Sequence, residues 1–534
     1  MSTTAFGIDL GTSNSAIAYL NALGEPKIRE NLDGDPTTPS VVWFQEARHT
    51  IVGKVARDEK MFSPDEVVDL VKRHMGRDTQ WEFHGQRHTA ESISALVLRA
   101  LAELVEDGPG PIPAVITIPA YFGAREREAT RAAGTIAGLD VLELVAEPVA
   151  AALFYDSVND LRGRNLLVYD LGGGTFDVTA VRGTEGSFEI LATEGDPQLG
   201  GADWDEALRE HLLDRFIEET GAESAEEDID FLHRLHEQAV VCKEALSQAL
   251  KHTVRLQTGD GTKAKFTVTR EEFEEVTAPK LKRTAMCMER LFDVVQRKDP
   301  DFVFHEVILV GGSSRMPAVA ELVRNRTYLE PQLFEPDLAV AKGAAIAATI
   351  SGLERHDAEG GTVAEYAERS GIDSAQLATL ATKTVVNALP KAIGVSVLDV
   401  DGTSYIDFLA EQHTPIPLQE EVVRDYLTAA DDQTRVNLTL YQQASDIPSS
   451  DPNLCEVITG SETMLTGIPP RPRGERIRVR LFIAGDGLIT IRGTHVASGA
   501  DVEAQVRIGV LSSEEVEAAR MRLTGMRVSQ TEDL

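Results

Sequence analysis

The sequence predicts a two-lobed α/β domain followed by a β-sandwich, and three observations carry that prediction. Three glycine-rich turns, GIDLGTSNS (Gly7–Ser15), VYDLGGGTFDVT (Val168–Thr179) and VILVGGSSRMP (Val307–Pro317), each leave a short apolar run of strand character. Residues 1 to about 351 alternate strand-like and helix-like segments, the pattern of an α/β architecture. From Ile393 onward the texture changes to strands and turns, as in GVSVLDVDGTSY, RVNLTLYQ and RIRVRLFIAGDGLITIRGTHV.

The glycine turns carry the chemistry. A turn without side chains brings bare backbone N–H groups close to an anion, which suits a phosphate. The first two turns also place an aspartate at the strand's end, Asp9 and Asp170, suited to a metal ion that neutralises phosphate charge. Phe6–Gly7–Ile8–Asp9–Leu10–Gly11 and Val168–Tyr169–Asp170–Leu171–Gly172 read as two copies of one device, each resuming a β-prone run after a few small residues. A duplicated lobe with a nucleotide held between the copies is the simplest reading. Two unrelated hairpins sharing a D-L-G turn are the alternative.

Taken in order, Ala114–Ile118 reads as a buried strand, followed by a helix over Arg125–Ala137. Leu166–Tyr169 and Val307–Val310 are two more strands, and Trp204 to Arg255 between them reads as largely helical. Alanine-rich Ala339–Ile350 reads as a helix packed closely on a neighbour. The polar, breaker-rich His356–Gly361 marks a boundary, and Ser374–Ala381 a short helix capped by Ser374. In the β region, Asp401-Gly402 and Asp486-Gly487 are hairpin signals. Ser512-x-x-Glu515 opens a short helix, and the last ten or so residues read as frayed. The division expected is 1–351 for the nucleotide-binding domain, 352–392 for an insertion and linker, 393–511 for the sandwich and 512–534 for a short helical tail.

Composition narrows the classes. The chain has 534 residues, 42% hydrophobic and 26% charged, ordinary for a soluble globular protein of several domains. A formal net charge of −34 disfavours nucleic acid as a partner. The arginines Arg471, Arg473, Arg476, Arg478 and Arg480 accordingly read as a solvated sheet face. Cys242, Cys287 and Cys455 lie far apart with no C-x-x-C spacing, which fits a reducing cytoplasm. The chain opens on a strand, and no apolar run approaches the length of a membrane span, so no signal peptide or membrane partner is expected. No histidine has ligand spacing with another.

At this level of detail the sequence resembles the seventy-kilodalton heat-shock (DnaK-type) chaperone family. GIDLGTSNS, VKRHMGR, VITIPAYFGAREREATRAAGTIAGLDV, AEPVAAALFYD, VYDLGGGTFDVT, VILVGGSSRMP and EPDLAVAKGAA fall in the family's order over most of residues 5 to 350. TAADDQTRVNLTLYQ, TGIPPRPRGE and IAGDGLITIRG resemble its peptide-binding sandwich. The resemblance implies an actin-like ATPase domain of duplicated ribonuclease-H-like lobes, ATP or ADP with Mg2+, and a C-terminal β-sandwich holding unfolded or extended polypeptide.

Carried over residue by residue, it implies that Asp9 and Asp170 hold magnesium, mostly through waters. Gly11, Thr12, Ser13 and Asn14 in one turn, and Gly172, Gly173 and Gly174 in the other, face the phosphates. Lys72 orients the attacking water, Glu147 positions it, and Thr175 lies beside the γ-phosphate, a division of labour suited to phosphoryl transfer. Asp177 shares a monovalent cation (K+) site with Asp9. Gly200, Gly201, Lys243, Ser247, Gly311, Gly312, Ser313, Arg315 and Asp337 surround the nucleoside side of the cleft. Pro119 and Arg127 form the switch between nucleotide state and sandwich docking. Ala429, Val436 and Leu438 line a pocket for an apolar peptide side chain, though Val436 and Leu438 also read as core positions of a plain strand.

The sequence also departs from the family. Val240, Glu244 and Ala202 replace polar or basic residues around the nucleoside, so weaker ATP binding is expected. The leucine-rich linker is replaced by an extra segment near 353–383 and then Thr384–Lys391, with Val385, Val386 and Leu389 as its apolar residues. Glu143, Ala146 and Val149 alter the surface that receives a J-domain co-chaperone, so any such partner, like any nucleotide exchange factor, needs a matching change. Asp401 stands where an apolar arch residue is usual. No long helical lid follows the sandwich, and the terminal helix is expected to cover part of the sandwich at most, with fast peptide exchange. The Thr531–Leu534 tail favours a bacterial setting.

Overall fold

The computed structural model describes residues 4–105, 110–159, 161–389, 391–399, 401–444, 449–458, 460–484, 487–506 and 513–531. Its first part is two sheets of one plan. In the first lobe the strand order is Asp140–Ala146, Pro113–Ile118, Phe6–Asp9, Asn14–Leu20, Pro26–Arg29. In the second it is Pro331–Gln332, Glu306–Val310, Leu166–Leu171, Phe176–Gly183, Ser187–Asp196, Thr384–Val385. Each lobe has an antiparallel three-strand meander whose first strand also pairs in parallel with the strand beside it. The two D-L-G turns are the first hairpins of those meanders, in equivalent positions, so the copy reading holds over chance likeness.

Two helices, Glu147–Asn159 and Ala339–Ala358, pack against each other where the lobes meet. Their alanines permit that approach. A Cβ on Gly343 would overlap the Ala150 carbonyl, and one on Gly7 would overlap the Ala345 backbone. The second helix runs eight residues past the expected Ile350, through the polar segment expected as a boundary. Charged side chains on its last turns stay at the surface, so polarity there marks a helix end projecting into solvent.

The segment expected as insertion and linker is built into the lobes. Helices Val363–Ser370 and Ser374–Leu380 bury Tyr366, Ile372 and Leu377 in the core that joins the two lobes. Asp373 caps the second of these, accepting from Ala375 N and Gln376 N, in place of the expected Ser374. Thr384–Val385 then adds an edge strand to the second-lobe sheet. Residues 251–255, expected helical, begin the strand Lys251–Gln257, which alternates exposed and buried positions against Lys263–Thr269.

The C-terminal part packs two four-stranded sheets face to face. One has the order Ser404–Ala410, Ile393–Leu398, Leu440–Gln443, Cys455–Val457; the other is Val422–Leu427, Arg476–Ile483, Ile489–His495, Asp501–Val506. Leu409, Leu440, Val479, Leu481 and Ile491 are buried between them. Arg476 and Arg478 pair with Asp425, Arg480 with Glu421 and Arg492 with Asp501, which leaves the arginine face locally neutralised and solvated. Asp401 accepts from Thr403 N in an exposed turn. Asp486 and Ser512 lie outside the described residues. Among the described residues the tail forms helix Ser513–Thr524 and strand Arg527–Ser529 and docks on the first lobe, where a frayed end or a cover for the sandwich was expected; residues 532–534 lie outside the described residues.

Because Gly343 meets a backbone carbonyl that a flexible side chain cannot relieve, Gly343→Ala should force the two central helices apart. We expect a loss of about 2–4 kcal/mol, read as a lowered thermal midpoint, whereas Gly221→Ala, in open space at a helix C-cap, should cost about 1 kcal/mol.

Candidate nucleotide site

The cleft between the lobes is built from the ends of the two hairpins. Each turn is closed by its own backbone and by neighbours. Gly11 N donates to Ser15 Oγ (3.2 Å), Ser40 Oγ donates to Gly11 O (2.8 Å), and Ser15 and Ser40 hydroxyls meet at 2.8 Å. The second turn is fastened to the Leu199–Gly201 loop by Gly201 N to Gly172 O (2.9 Å) and Ala202 N to Gly173 O (2.8 Å). The turns face each other directly: a Cβ on Gly173 would overlap Ser13, and one on Gly174 would overlap Thr12. The third turn leaves Glu306–Val310, and Gly311, at φ 80°, has Leu171 O and Asp170 Oδ1 where a Cβ would sit. Three backbone turns thus converge in one place, with the Thr12, Ser13 and Asp170 side chains among them.

Charge in this cleft is concentrated and buried. Lys72 Nζ donates to Glu147 Oε1 at 2.6 Å, with side chains only 6% and 10% exposed. Burial opposes the Lys72 charge, but the carboxylates of Glu147, Asp9 and Asp170 outweigh it and raise its pKa. Asp9, which accepts from Thr117 Oγ1 (2.9 Å), is pushed up to about 6 by burial and by Glu147, against the pull of Lys72. Burial, then Glu147 and Asp9, push Asp170 well up; burial, then Glu147 and Asp170, do the same for Asp177. Asp177 Oδ1 is buried with no hydrogen-bond partner, and Asp177 sits opposite Asp170 in the hairpin register. These acids fit a cation, whose charge would return them to the ionised form. Among the described residues no three His, Cys, Asp or Glu side chains close into a direct ligand shell. Thr175, whose carbonyl accepts from Gly172 N, completes the second turn.

On the nucleoside side, Lys243 Nζ pairs with Asp205 (2.8 Å) and reaches Gly201 O (3.4 Å), and Ser247 Oγ donates to Lys243 O. A Cβ on Gly201 would overlap Ser313 Oγ, and one on Gly312 would approach Asp337 Oδ1. Arg315 Nε donates to Asp337 Oδ2 at 3.0 Å. Asn14 opens the strand after the first turn, and Gly200 begins the helix Gly201–Thr220. The expected phosphate and nucleoside residues therefore converge on one cleft.

Sequence reasoning missed Arg73, which joins the lobes. Its Nε donates to Gly174 O at 2.9 Å, and its Nη2 reaches Asp203 Oδ2 at 3.3 Å. It stands in VKRHMGR beside Lys72; only the fold reveals that it faces the opposite lobe. Ser40, in a segment with no glycine signal, was missed for the same reason.

Pro119 and Arg127 lie between this cleft and the linker. Arg127 Nε donates to Phe122 O (3.1 Å) and its Nη2 to Ala388 O (3.3 Å), while Lys72 Nζ sits 6.0 Å from the Phe122 ring centroid. Pro119 O accepts from Phe122 N, closing the turn that holds that ring. Asn387 of the linker donates to Glu143 Oε1 (2.8 Å) and Leu144 O (2.9 Å), and Ser351 Oγ donates to Glu143 Oε2 (2.8 Å). Val385 is buried in the lobe core and Leu389 in the sandwich core, so the linker is gripped from both sides. Glu143 thus faces inward, toward the linker.

The expected peptide residues stand differently. Leu438 is 2% exposed and belongs to the sandwich core, against Gly493, where a Cβ would overlap its side chain. Val436 is half-buried in a two-residue strand opposite Leu465, and Ala429 is exposed, its N–H bonded to Gln433 Oε1. In this conformation the core reading of Leu438 describes it better than the pocket reading.

The Hsp70 protein family model matches residues 5–83 and 78–359, well over half of the chain. The chain belongs to that family. It therefore carries the family's two-lobed, actin-like ATPase fold with a strand-rich C-terminal region, and its function is that of an ATP-binding, chaperone-like protein. The family's members are ATPases that bind ATP or ADP with Mg2+, and they typically engage unfolded polypeptide, J-domain co-chaperones and exchange factors. Among the described residues, no helix is long and apolar enough to cross a membrane.

Glu143 supplies a pH test of the linker contact. Burial, foremost, and then Glu354 push its carboxyl up to about 7, against the bonds from Ser351 and Asn387 and the charge of Arg131. A raised acid binds its proton more tightly when folded, so its contribution is present below the ordinary carboxylate range and lost as pH rises through about 7. The stability difference between wild type and Glu143→Gln should change by about 2 kcal/mol between pH 5 and 7.5, in favour of the variant at the higher pH. Calorimetry giving a pH-independent difference would show that Glu143 does not titrate in this window.

Proposed function

We propose that this chain hydrolyses ATP in the interlobe cleft and couples that reaction to holding extended polypeptide on its sandwich. The observation that supports it most is the buried Lys72–Glu147 pair set between two phosphate-sized turns and the carboxylates Asp9, Asp170 and Asp177. In this reading Thr12, Ser13, Gly172, Gly173 and Gly174 present phosphate donors, and Thr175 lies at the γ-phosphate. Glu147 accepts a hydrogen bond from the attacking water, and Lys72 orients that water and offsets charge developing on the transferred group. Asp9 and Asp170 would hold magnesium through waters, and Asp177 with Asp9 a potassium ion. Bound there, magnesium neutralises the outer phosphates. Lys243, Ser247, Arg315 and Asp337 frame the nucleoside, with Val240 and Glu244 making ATP binding weaker than a bonded ribose would allow.

Coupling runs through contacts already in place: Lys72 to Phe122, Phe122 to Arg127, and Arg127 to the linker at Ala388. A co-chaperone approaching Glu143 would find it engaged by Ser351 and Asn387 and would need different contacts from a standard J-domain. The three free thiols suit a reducing cytoplasm.

The burial of Leu438 favours a second reading, a nucleotide-gated scaffold that serves one dedicated protein partner without general peptide clamping. Single-turnover hydrolysis, with and without a saturating unfolded leucine-rich peptide, separates the two. Lys72→Ala should slow hydrolysis by about 10²-fold or more while ATP still binds. Peptide acceleration in the wild type supports the clamp, and hydrolysis indifferent to peptide supports the scaffold. A wild-type rate no higher than that of Lys72→Ala would remove the ATPase reading itself.

A further inference from the structure

The C-terminal segment returns to the first lobe, away from the sandwich that precedes it. Strand Arg527–Ser529 pairs in parallel with His49–Val52, and Arg527 N donates to Arg48 O at 2.8 Å. Gln530 Nε2 donates to Ala100 O (2.9 Å), Arg99 Nη1 donates to Leu523 O (2.6 Å), and Ser529 Oγ meets His49 Nε2 at 2.9 Å. Helix Ser513–Thr524 packs on the Ala124–Ala137 helix that carries Arg127.

The strand completes a four-stranded sheet in the order Arg527–Ser529, His49–Val52, Val42–Glu46, Val67–Val68. Two residues after Val68, the chain enters the short helical turn Val71–His74, which presents Lys72 to Glu147 and Arg73 to the opposite lobe. The junction residue Leu70 has φ 51°, a left-handed conformation that a leucine side chain disfavours. A turn entered that way is held by its surroundings. Val71 and Met75, on either side of Lys72 and Arg73, belong to the same apolar core cluster of the first lobe that takes in Ala519, Leu523, Met526 and Val528 of the tail. The other support of the turn is the Ala90–Ala102 helix, whose Ser94 Oγ reaches Met75 Sδ (3.4 Å) and whose Ala100 carbonyl takes the bond from Gln530.

We propose that the helix–strand Ser513–Ser529 is a positioning element for Lys72 and Arg73, and so a second mechanical link, separate from the linker, through which sandwich displacement alters hydrolysis. The inference rests on the ATPase reading above. Its residues touch neither nucleotide nor reacting atoms; they act through the sheet and the apolar cluster beneath the Val71–His74 turn. Drawing the tail away removes one edge of that sheet and opens the cluster, and the left-handed junction at Leu70 is then free to relax.

The test compares the full chain with a chain ending at residue 512 and with Val528→Asp, which places a charge in the buried contact should the truncated chain not fold. Amide exchange by mass spectrometry is read at 42–52 and 71–74, together with single-turnover hydrolysis and affinity for a fluorescent ATP analogue. We expect faster exchange in both segments and hydrolysis slowed about tenfold, with nucleotide affinity changed less than about threefold. A synthetic peptide of residues 513–534, added in trans to the truncated chain, should restore rate and protection together. Unchanged exchange at 71–74, or slowed hydrolysis that the peptide leaves unrestored while it re-protects 42–52, overturns the proposal. If the wild type itself does not hydrolyse ATP, the ATPase reading falls alone, and protection at 71–74 still decides whether the tail positions the turn.

Discussion

The two lobes meet at one electrostatic problem: the carboxylates of Asp9, Asp170, Asp177 and Glu147 are buried around the Lys72 ammonium. Asp9, Asp170 and Asp177 come from the ends of paired strands and Glu147 from the first turn of a central helix, while Lys72 answers them from a short turn of the first lobe. Without added cations Asp9, Asp170 and Asp177 resist ionisation, because burial and neighbouring carboxylates outweigh the lysine. Such a cluster is a poor source of stability, since buried charge is costly unless fully paired. Its presence makes sense as a site for bound cations, which offset carboxylate and phosphate charge alike. The close-packed glycine turns suit the same proposed end, since backbone donors can meet an anion without adding any further side-chain charge.

Much of this arrangement was readable in the chain because it rests on local devices. A strand ending in Asp-Leu-Gly is both a structural and a chemical signal, and its repetition implied the paired lobes that the sheet orders display. The features that escaped are those defined only across the fold. Arg73 is one residue from Lys72, yet its partners Gly174 and Asp203 lie about a hundred residues away. Ser40 braces the first turn from just after the short strand Thr38–Pro39, which no pattern ties to it. Leu438 alternates like a pocket residue, but strand periodicity assigns a face and not the depth of burial.

The segment after the lobes illustrates a different limit. Its polar, breaker-rich start suggested a domain boundary followed by an insertion and linker, yet Tyr366, Ile372, Leu377 and Val385 are buried among lobe residues. Few apolar residues suffice when each is placed in a core that already exists, so low hydrophobicity alone does not indicate a free tether. Asn387 completes the docking by donating to Glu143 and Leu144, which turns a residue expected to face a partner into an internal anchor.

The same logic applies at the other end of the sandwich. The linker fixes its start to both lobes, and the tail fixes its end to the first lobe alone, through a strand pairing and four buried apolar side chains. The linker hold includes hydrogen bonds to a titrating carboxyl, and the tail hold is chiefly apolar, so the two respond to different conditions. Both lead to the cleft, one through Arg127 and Phe122, the other through the Val71–His74 turn. Lys72 is where they meet: its ammonium stands over the Phe122 ring, and its turn rests on the cluster that receives the tail. In the proposed coupling, motion of the sandwich that strains either hold acts on Lys72, which pairs with Glu147 among the buried carboxylates.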